Sequence, residues 1–543
     1  MIEYLKVLVA SALKVGDAME EEAITFEKPR SAEHGDLTTN VAMVLAKRTG
    51  KNPRQLAQSI IDDLAIDQTM LDRVEVAGPG FINFFFTPKF FQDQLLEILK
   101  QGKSYGRYDG GKRKKTQVEF VSANPTGPLT VGHGRGAVFG DTIARLLEWA
   151  NYDVTREYYF NNAGRQMRVL GDSVRMRYLE LLGNRIDYPE DYYQGEYIKD
   201  VAQLLKSKYG TSLKEEPAEG LFKRDAEQAI FEGIKQTLKR LGIAFDVFYN
   251  ENSLYESGNV NEVIEELRNR KLAYEHEGAL WFKATSYGGE ADKVIVKSTG
   301  EPTYRLPDIA YHREKIKRGF ELIIDVLGAD HIAAYPDVLA GLKALGYDTA
   351  NIKVLIHQFV TIIQDGEVVK MSTRKANFIT LDELMDEVGV DVVRYFFLMR
   401  SIGSHLNFDL KLAKEQSEEN PVYYLQYAHA RIASIIRYAE SQGVFPNVLP
   451  DVRKLTQSEE IGLLKLLSRF RDEVESCVKS FEPHRLAEYL HNVAGSFHQF
   501  YHVQRVVTED QSLTLARIGL CLATKTILGN GFSILGITAP EKM

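Results

Sequence analysis

Apolar positions along the 543 residues change rhythm twice, and the changes divide the chain into three parts. In the first, Leu5, Leu8, Val9 and Leu13 recur at helical spacing and predict an amphipathic helix. Glu33-His34-Gly35-Asp36-Leu37-Thr38-Thr39-Asn40 supplies loop and cap chemistry before a helix over 41–47. Residues 74–77 and 81–86 flank Gly78-Pro79-Gly80 and predict two strands around a tight turn. A run such as Phe81-Ile82-Asn83-Phe84-Phe85-Phe86 belongs in a core, with Asn83 as its polar exception. The Gly- and Lys-rich stretch 105–115 closes this α+β unit.

In the second part strands alternate with helices, the pattern of a parallel sheet. It turns on one stretch. Val118-Glu119-Phe120-Val121 reads as a buried strand, and Asn124-Pro125-Thr126-Gly127-Pro128 ends it. After the small residues Gly132, Gly134, Gly136 and Ala137, the positions Val138, Phe139, Ile143, Leu146, Leu147 and Ala150 recur at helical spacing. Residues 154–159 look like the next strand. In such a strand–loop–helix–strand unit the loop lies where the sheet binds ligands, and the free N–H groups opening its helix favour phosphate. Glycine at 132 and 134 lets a nucleotide approach the backbone. Further strands are expected at 293–297, 322–327 and 354–357, with a polar, mostly helical insertion over about 181–287. In the third part Val422, Leu425, Ala428, Ile432, Ile435 and Ile436 form one stripe, and later segments repeat it, so an all-α bundle is expected.

Composition narrows the field. A formal net charge of −8 excludes a global basic field, so any RNA contact comes from local patches such as Lys112-Arg113-Lys114-Lys115, a run that alone reads equally well as a solvated linker. Cys477 and Cys521 lack paired metal spacing, which fits a reduced, cytoplasmic protein without a zinc knuckle. No uninterrupted apolar segment approaches membrane-spanning length, so neither export nor membrane insertion is expected.

Two short elements carry candidate chemistry. Thr130-Val131-Gly132-His133 puts a histidine at a helix N-terminus, able to donate a hydrogen bond to charge developing on phosphate oxygens. A capping or core histidine is the commoner use of so short a string. Lys370-Met371-Ser372-Thr373-Arg374 follows two strands joined by Asp365-Gly366, a hairpin signal. There a lysine can follow phosphate charge into the transition state, with Arg374 supporting it bidentately. Alone it reads as a surface loop; the two elements in order on one framework, about 240 positions apart, are a poor candidate for coincidence.

The pair resembles the HIGH and KMSKS motifs of class I aminoacyl-tRNA synthetases, and the flanks resemble the arginyl-tRNA synthetases. The matching residues are Ala123-Asn124-Pro125-Thr126-Gly127-Pro128-Leu129, Asn161-Asn162-Ala163-Gly164-Arg165-Gln166, Thr303-Tyr304-Arg305 with Asp308-Ile309-Ala310-Tyr311, and Gly328-Ala329-Asp330-His331. Asn420 to Arg431, Leu535 to Met543, and the segments 35–40 and 78–84 extend the likeness over essentially the whole chain. Three positions depart from the family pattern: Thr130 for the first HIGH histidine, which usually touches the amino acid; Asn162 for an aspartate; and Lys542 for an arginine.

The resemblance implies a Rossmann-like catalytic domain over 114–412, an N-terminal α+β domain over 1–108 meeting the tRNA corner, and an anticodon-binding bundle over 416–543. It implies activation of arginine with ATP, transfer to the 2′-hydroxyl of tRNA(Arg), and activation that requires bound tRNA. It places His133, Lys370 and Thr130 in catalysis. ATP falls to Gly132, His133, Gly328, Asp330, His331, Lys370, Met371 and Ser372; arginine to Glu119, Asn124, Tyr304 and Asp308; tRNA to Asn83. Mg²⁺ arrives with ATP, and no metal is bound by the protein itself. Membrane and DNA are not expected partners, and the chain is expected to be a monomer. Chemistry agrees on one point: a planar, permanently charged guanidinium needs carboxylates with planar acceptors. Two other readings stay open: a nucleotidyltransferase with a Thr-x-Gly-His loop, and a silent synthetase-like RNA-binding protein.

Overall fold

The computed structural model describes residues 1–13, 24–29, 31–369, 379–445 and 450–543. After a first helix, Ile2–Ala12, three strands form an antiparallel sheet in the order β1-β3-β2: β1 (Leu37–Thr39), β2 (Leu71–Ala77) and β3 (Phe81–Phe86). β1 lies in the stretch expected to be loop, and the helix Val41–Thr49 follows it as expected. Gly35 turns the chain into β1 at φ +92°, where a Cβ would stand 2.6 Å from the Phe84 carbonyl oxygen, so only glycine fits. Asn83 lies in mid-β3, paired with Thr38 and Glu75 and only 4 % exposed. Little of its side chain is exposed on the sheet to which the resemblance assigns a tRNA contact.

The second part supplies β4 (Lys115–Glu119), β5 (Asp153–Phe160) and β6 (Val247–Asn250), a small antiparallel sheet of β7 (Ala273–His276), β8 (Ala279–Phe282) and β9 (Lys293–Val296), then β10 (Leu322–Gly328) and β11 (Ile352–His357). The main sheet runs β11-β10-β4-β5-β6 with every pair parallel. Successive strands leave β4 to one side as β5 and β6, and to the other as β10 and β11. The β4/β10 boundary is thus the topological switch point, where a crevice opens beyond the strand ends. The stretch 181–287 is not wholly an insertion: its helices Glu196–Tyr209 and Lys223–Arg240 are followed by β6, the edge strand of the main sheet. Four partly buried residues are too few to show a strand period.

Next, β12 (Val360–Gln364) and β13 (Glu367–Val368) form the expected hairpin, its turn carried by Asp365 (φ 51°) and Gly366 (φ 82°). β14 (Leu406–Asp409) pairs with β12. The third part is helical, with long helices at Pro421–Ser441, His484–Val503 and Gln511–Leu535. Against expectation, Gln511–Leu535 is long and apolar enough to cross a membrane, with a mean hydropathy of 1.4, but 72 % of that window is buried inside the protein. It is the core helix of the bundle, apolar because other helices cover it.

One buried guanidinium joins these parts. Arg394 donates to Asp141 Oδ2 at 2.7 Å, to the carbonyl of Leu241 at 2.8 Å and to the carbonyl of Leu535 at 3.0 Å. Gly536 (φ 71°) passes so close that a Cβ there would overlap the guanidinium.

Candidate active site

Two adjoining cavities occupy the switch point. The larger, about 630 Å³, is lined by Glu119, Ser122 and Asn124 beyond β4, Tyr159 and Asn161 at the end of β5, Glu251 after β6, Tyr304 and Asp308 on the helix Arg305–Lys317, and Gly328, Asp330 and His331 after β10. The smaller, about 440 Å³, shares Ser122, Gly328, Asp330 and His331 and adds Thr130, Gly132, His133 and Phe359. The strand ends thus bring together Glu119, Asn124, Thr130, Gly132, His133, Tyr304, Asp308, Gly328, Asp330 and His331, which lie far apart in the chain.

The turn after β4 is strained. Val121 (φ 69°) and Ser122 (φ 45°) are consecutive non-glycine residues in the left-handed region, each costing on the order of 1–3 kcal/mol. The surroundings over-determine them. Ser122 Oγ donates to Glu119 Oε1 at 2.9 Å and accepts from the Tyr159 N–H at 3.2 Å, while Tyr158 donates to the Ala123 carbonyl at 2.8 Å. Beyond the turn, Asn124 Oδ1 accepts from the Asn161 N–H at 2.9 Å and its Nδ2 donates to Gln166 at 3.1 Å. Asn162, the departure from the family's aspartate, donates to Glu227 at 2.7 Å.

Negative charge gathers in the larger cavity. Asp308 has no hydrogen-bond partner for its carboxylate among the described residues, and its pKa rises from 3.8 to about 7. Burial is the main cause; His312 and Lys315 oppose it, whereas Glu119 and Glu251 add to it. Burial also raises Glu251, although Tyr159 (2.9 Å) and Asn161 (2.8 Å) donate to it. Tyr304 stands 56 % exposed at the N-cap of the Asp308 helix. Two carboxylates short of a cation, beside an aromatic face, suit a planar guanidinium.

Among the described residues that line the smaller cavity, Asp330 is the one carboxylate. Thr130 is the N-cap of the helix Val131–Trp149, and its N–H donates to His133 Nδ1 at 3.1 Å. That bond makes Nδ1 an acceptor, so the neutral ring carries its proton on Nε2. Burial lowers the His133 pKa, with Asp330 opposing, and the ring is neutral near pH 7. The Thr130 hydroxyl lies 3.1 Å from the same Nδ1, so this residue orients His133 and lines the smaller cavity. Nearby, Arg135 is buried yet donates only to the carbonyls of Gln358, Ser401 and Ser404, fixing the turn that follows β11.

Lys370, Met371 and Ser372 lie outside the described residues. The segments flanking them do not. The Val369 N–H bonds to the Ile362 carbonyl at 3.0 Å, while Thr380 bridges Thr130 and the Leu381 N–H donates to Leu129 at 2.8 Å. Residues 380 and 381, downstream of the second motif, are thus tied to the loop of the first.

Sequence reasoning missed Glu251, Tyr159, His312, Lys315 and Asp325. Glu251 follows a parallel strand as Asp330 does, and that position was its one signal; β6 was too short to reveal it. Tyr159, Asp325 and His312 line the cavity through the pleat of β5 and β10 or the turn of a helix, and Lys315 is buried against Glu119 and Asp325, placements that no spacing in one sequence displays.

Comparison with known proteins bears on the whole chain. Family models match three stretches: the arginyl tRNA synthetase N-terminal domain over 3–86, the catalytic domain of class I (R) tRNA synthetases over 94–394, and the DALR anticodon-binding domain over 425–543. The arginine–tRNA ligase of Desulfotalea psychrophila is 52 % identical over 521 residues, 96 % of this chain and 94 % of its own. That of Salinibacter ruber is 49 % identical over 562 residues, all of both chains. The arginyl-tRNA synthetase of Thermus thermophilus shares the fold, with a TM-score of 0.80 over the whole of both chains at 22 % identity.

Proposed function

The chain belongs to the arginyl-tRNA synthetase family, and from that premise we propose how its residues divide the work of an arginine–tRNA ligase. The reaction joins arginine to ATP as arginyl-adenylate, releasing pyrophosphate, and passes the arginyl group to the 3′ end of tRNA(Arg), releasing AMP. The observation that carries the assignment of the larger cavity is the Asp308 carboxylate, unpartnered and raised towards neutrality beside Glu251. A guanidinium arriving there supplies the missing cation and returns both acids to their charged form. Tyr304 covers the same end. Asn124, and Glu119 behind Ser122, hold the amino-acid end, which points the substrate carboxylate towards the smaller cavity.

ATP takes that second cavity, with Gly328, Asp330 and His331 at its ribose and adenosine and Gly132 at its phosphates. An oxygen of the arginine carboxylate attacks the α-phosphorus, and the bond to pyrophosphate breaks. Nε2–H of His133 donates to the phosphate oxygens as their charge shifts, assisted by the N–H groups opening Val131–Trp149. Lys370, with Met371 and Ser372, follows the leaving pyrophosphate. Mg²⁺ would arrive with ATP and supply charge neutralisation at the phosphates. Thr130 acts through His133. Residues 1–108 meet the tRNA corner and 416–543 the anticodon arm, the chain working as a cytoplasmic monomer.

The test is ATP–pyrophosphate exchange with arginine, run with and without tRNA. Arginine-dependent exchange that appears on adding tRNA is expected. Exchange supported by a different amino acid, or none in either condition, would overturn the assignment.

A further inference from the structure

Five carboxylates line the arginine cavity, Glu119, Glu251, Asp308, Asp325 and Asp330, and one helix sets Lys315 and His312 against two of them. Lys315 is wholly buried, and its ammonium lies 2.6 Å from both Glu119 Oε2 and Asp325 Oδ1. Glu119, the last residue of β4, and Asp325, in the middle of β10, are register partners, so the lysine closes the switch point from below. One turn earlier, His312 places Nε2 2.9 Å from Asp325 Oδ2 and Nδ1 2.8 Å from the Asp308 carbonyl. Both partners can only accept, and the charged imidazolium satisfies both. Glu157, beside Glu119 on β5, has its own cation in Arg318 at 2.6 Å. Asp330 lies against His331, and among the described residues Asp308 and Glu251 are in no ion pair.

We propose that Lys315 is a positioning residue that sets the charge of the arginine cavity. By compensating Glu119 and Asp325, it leaves Asp308 and Glu251 as the pair that one guanidinium completes. Through Glu119 it also holds Ser122, and hence the strained turn at the amino-acid end. Glu119 is then a support whose charge is already taken, and guanidinium recognition lies elsewhere. This role rests on the arginine reading of the cavity.

The groups facing Asp308 fix the sign of the test. They are Glu119 from β4, Tyr159 from β5, Glu251 after β6, Asp325 from β10, and His312 and Lys315 from its own helix. Removing the lysine charge leaves the buried acids less compensated and makes Asp308 harder to ionise. Removing the Glu119 charge does the reverse. Loss of packing alone moves neither in a definite direction.

The experiment measures kcat/KM for arginine against pH in tRNA-supported pyrophosphate exchange, for the unaltered protein, Lys315→Met and Glu119→Gln. Lys315→Met should move the acid limb up by about one pH unit and raise KM for arginine about tenfold near neutrality, with KM for ATP held within about twofold. Glu119→Gln should move the limb down. Should Lys315→Met not fold, the isosteric Glu119→Gln decides alone. Acid limbs unmoved in the variants that fold, or KM for ATP rising in step with that for arginine, would overturn the role of Lys315 while leaving the cavity's assignment intact. Absence of arginine-dependent exchange in the unaltered protein would overturn both.

Discussion

Burial pushes two side chains of the site in opposite directions, and each direction serves its task. Asp308 is held near the point of ionisation until a cation arrives; His133 is kept neutral, with a proton free to donate. Because the Asp308 pKa lies above that of an unfolded aspartate, the ligand-free fold binds the extra proton between about pH 4 and 7. Its contribution to stability is therefore present at low pH and lost as pH rises through 7, and saturating arginine should restore it. Thermal melts across this range, with and without arginine, should show that slope, and Asp308→Asn should flatten it. The same variant should raise KM for arginine about 30-fold or more, as loss of one member of a buried charge pair does. Lys370→Ala should raise the activation barrier by at least about 2 kcal/mol, measured as the rate of adenylate formation; an unchanged rate would remove Lys370 from the mechanism. At this scale the sequence exposed residues that sit inside motifs, His133 and Asp308 among them. Glu251 and Lys315 act through the fold and escaped notice.

Between the motif residues and the whole protein stand the elements that aim them. Helix Val131–Trp149 packs against the end of β11 so closely that a Cβ at Gly136 would stand 3.0 Å from His357 Nε2. That half-buried imidazole, its pKa pushed down to about 4 chiefly by burial, has no partner for Nδ1 among the described residues and lines the nucleotide cavity. Gly136→Ala should displace the ring towards the nucleotide cavity and raise KM for ATP several-fold, with KM for arginine little changed; equal KM values for both substrates in variant and parent would contradict this. The unit from β4 through that helix to β5 was legible because its apolar run, its Asn-Pro-Thr-Gly-Pro break and its helical stripe are each long enough to have a period. So was the β12–β13 hairpin, announced by Asp365-Gly366. The strands β1 and β6, of three and four residues, were not, since alternation needs more positions to stand out. Thr130 illustrates a further limit. Its identity was plain in the sequence, but only the helix start shows that its N–H and hydroxyl both meet His133.

Across the whole molecule, Arg394 is where the parts answer to one another. Asp141, eight positions along the helix from His133, shares one guanidinium with the edge of the insertion at Leu241 and the close of the C-terminal helix at Leu535. Arg394→Met removes one of the guanidinium partners of Asp141, which keeps Arg145 and Arg156, and leaves the Leu241 and Leu535 carbonyls without this donor, so it should cost about 1–3 kcal/mol of stability in urea unfolding. The bundle and the catalytic domain should then unfold in separate steps; a single transition with an unchanged midpoint would show that the junction matters little. Neither Arg394 nor Asp141 belongs to a motif, and the three-part division read from hydrophobic rhythm gave no sign of what clamps the parts together. The clamp has a consequence in time. Leu535 leaves the ribosome nearly 400 residues after Asp141, an interval of roughly 20–80 s at about 5–20 residues per second. Throughout it the helix that carries His133 is already made but lacks its final seal. A nascent chain halted before Leu535 would contain every residue of the arginine and ATP cavities and still be unfinished.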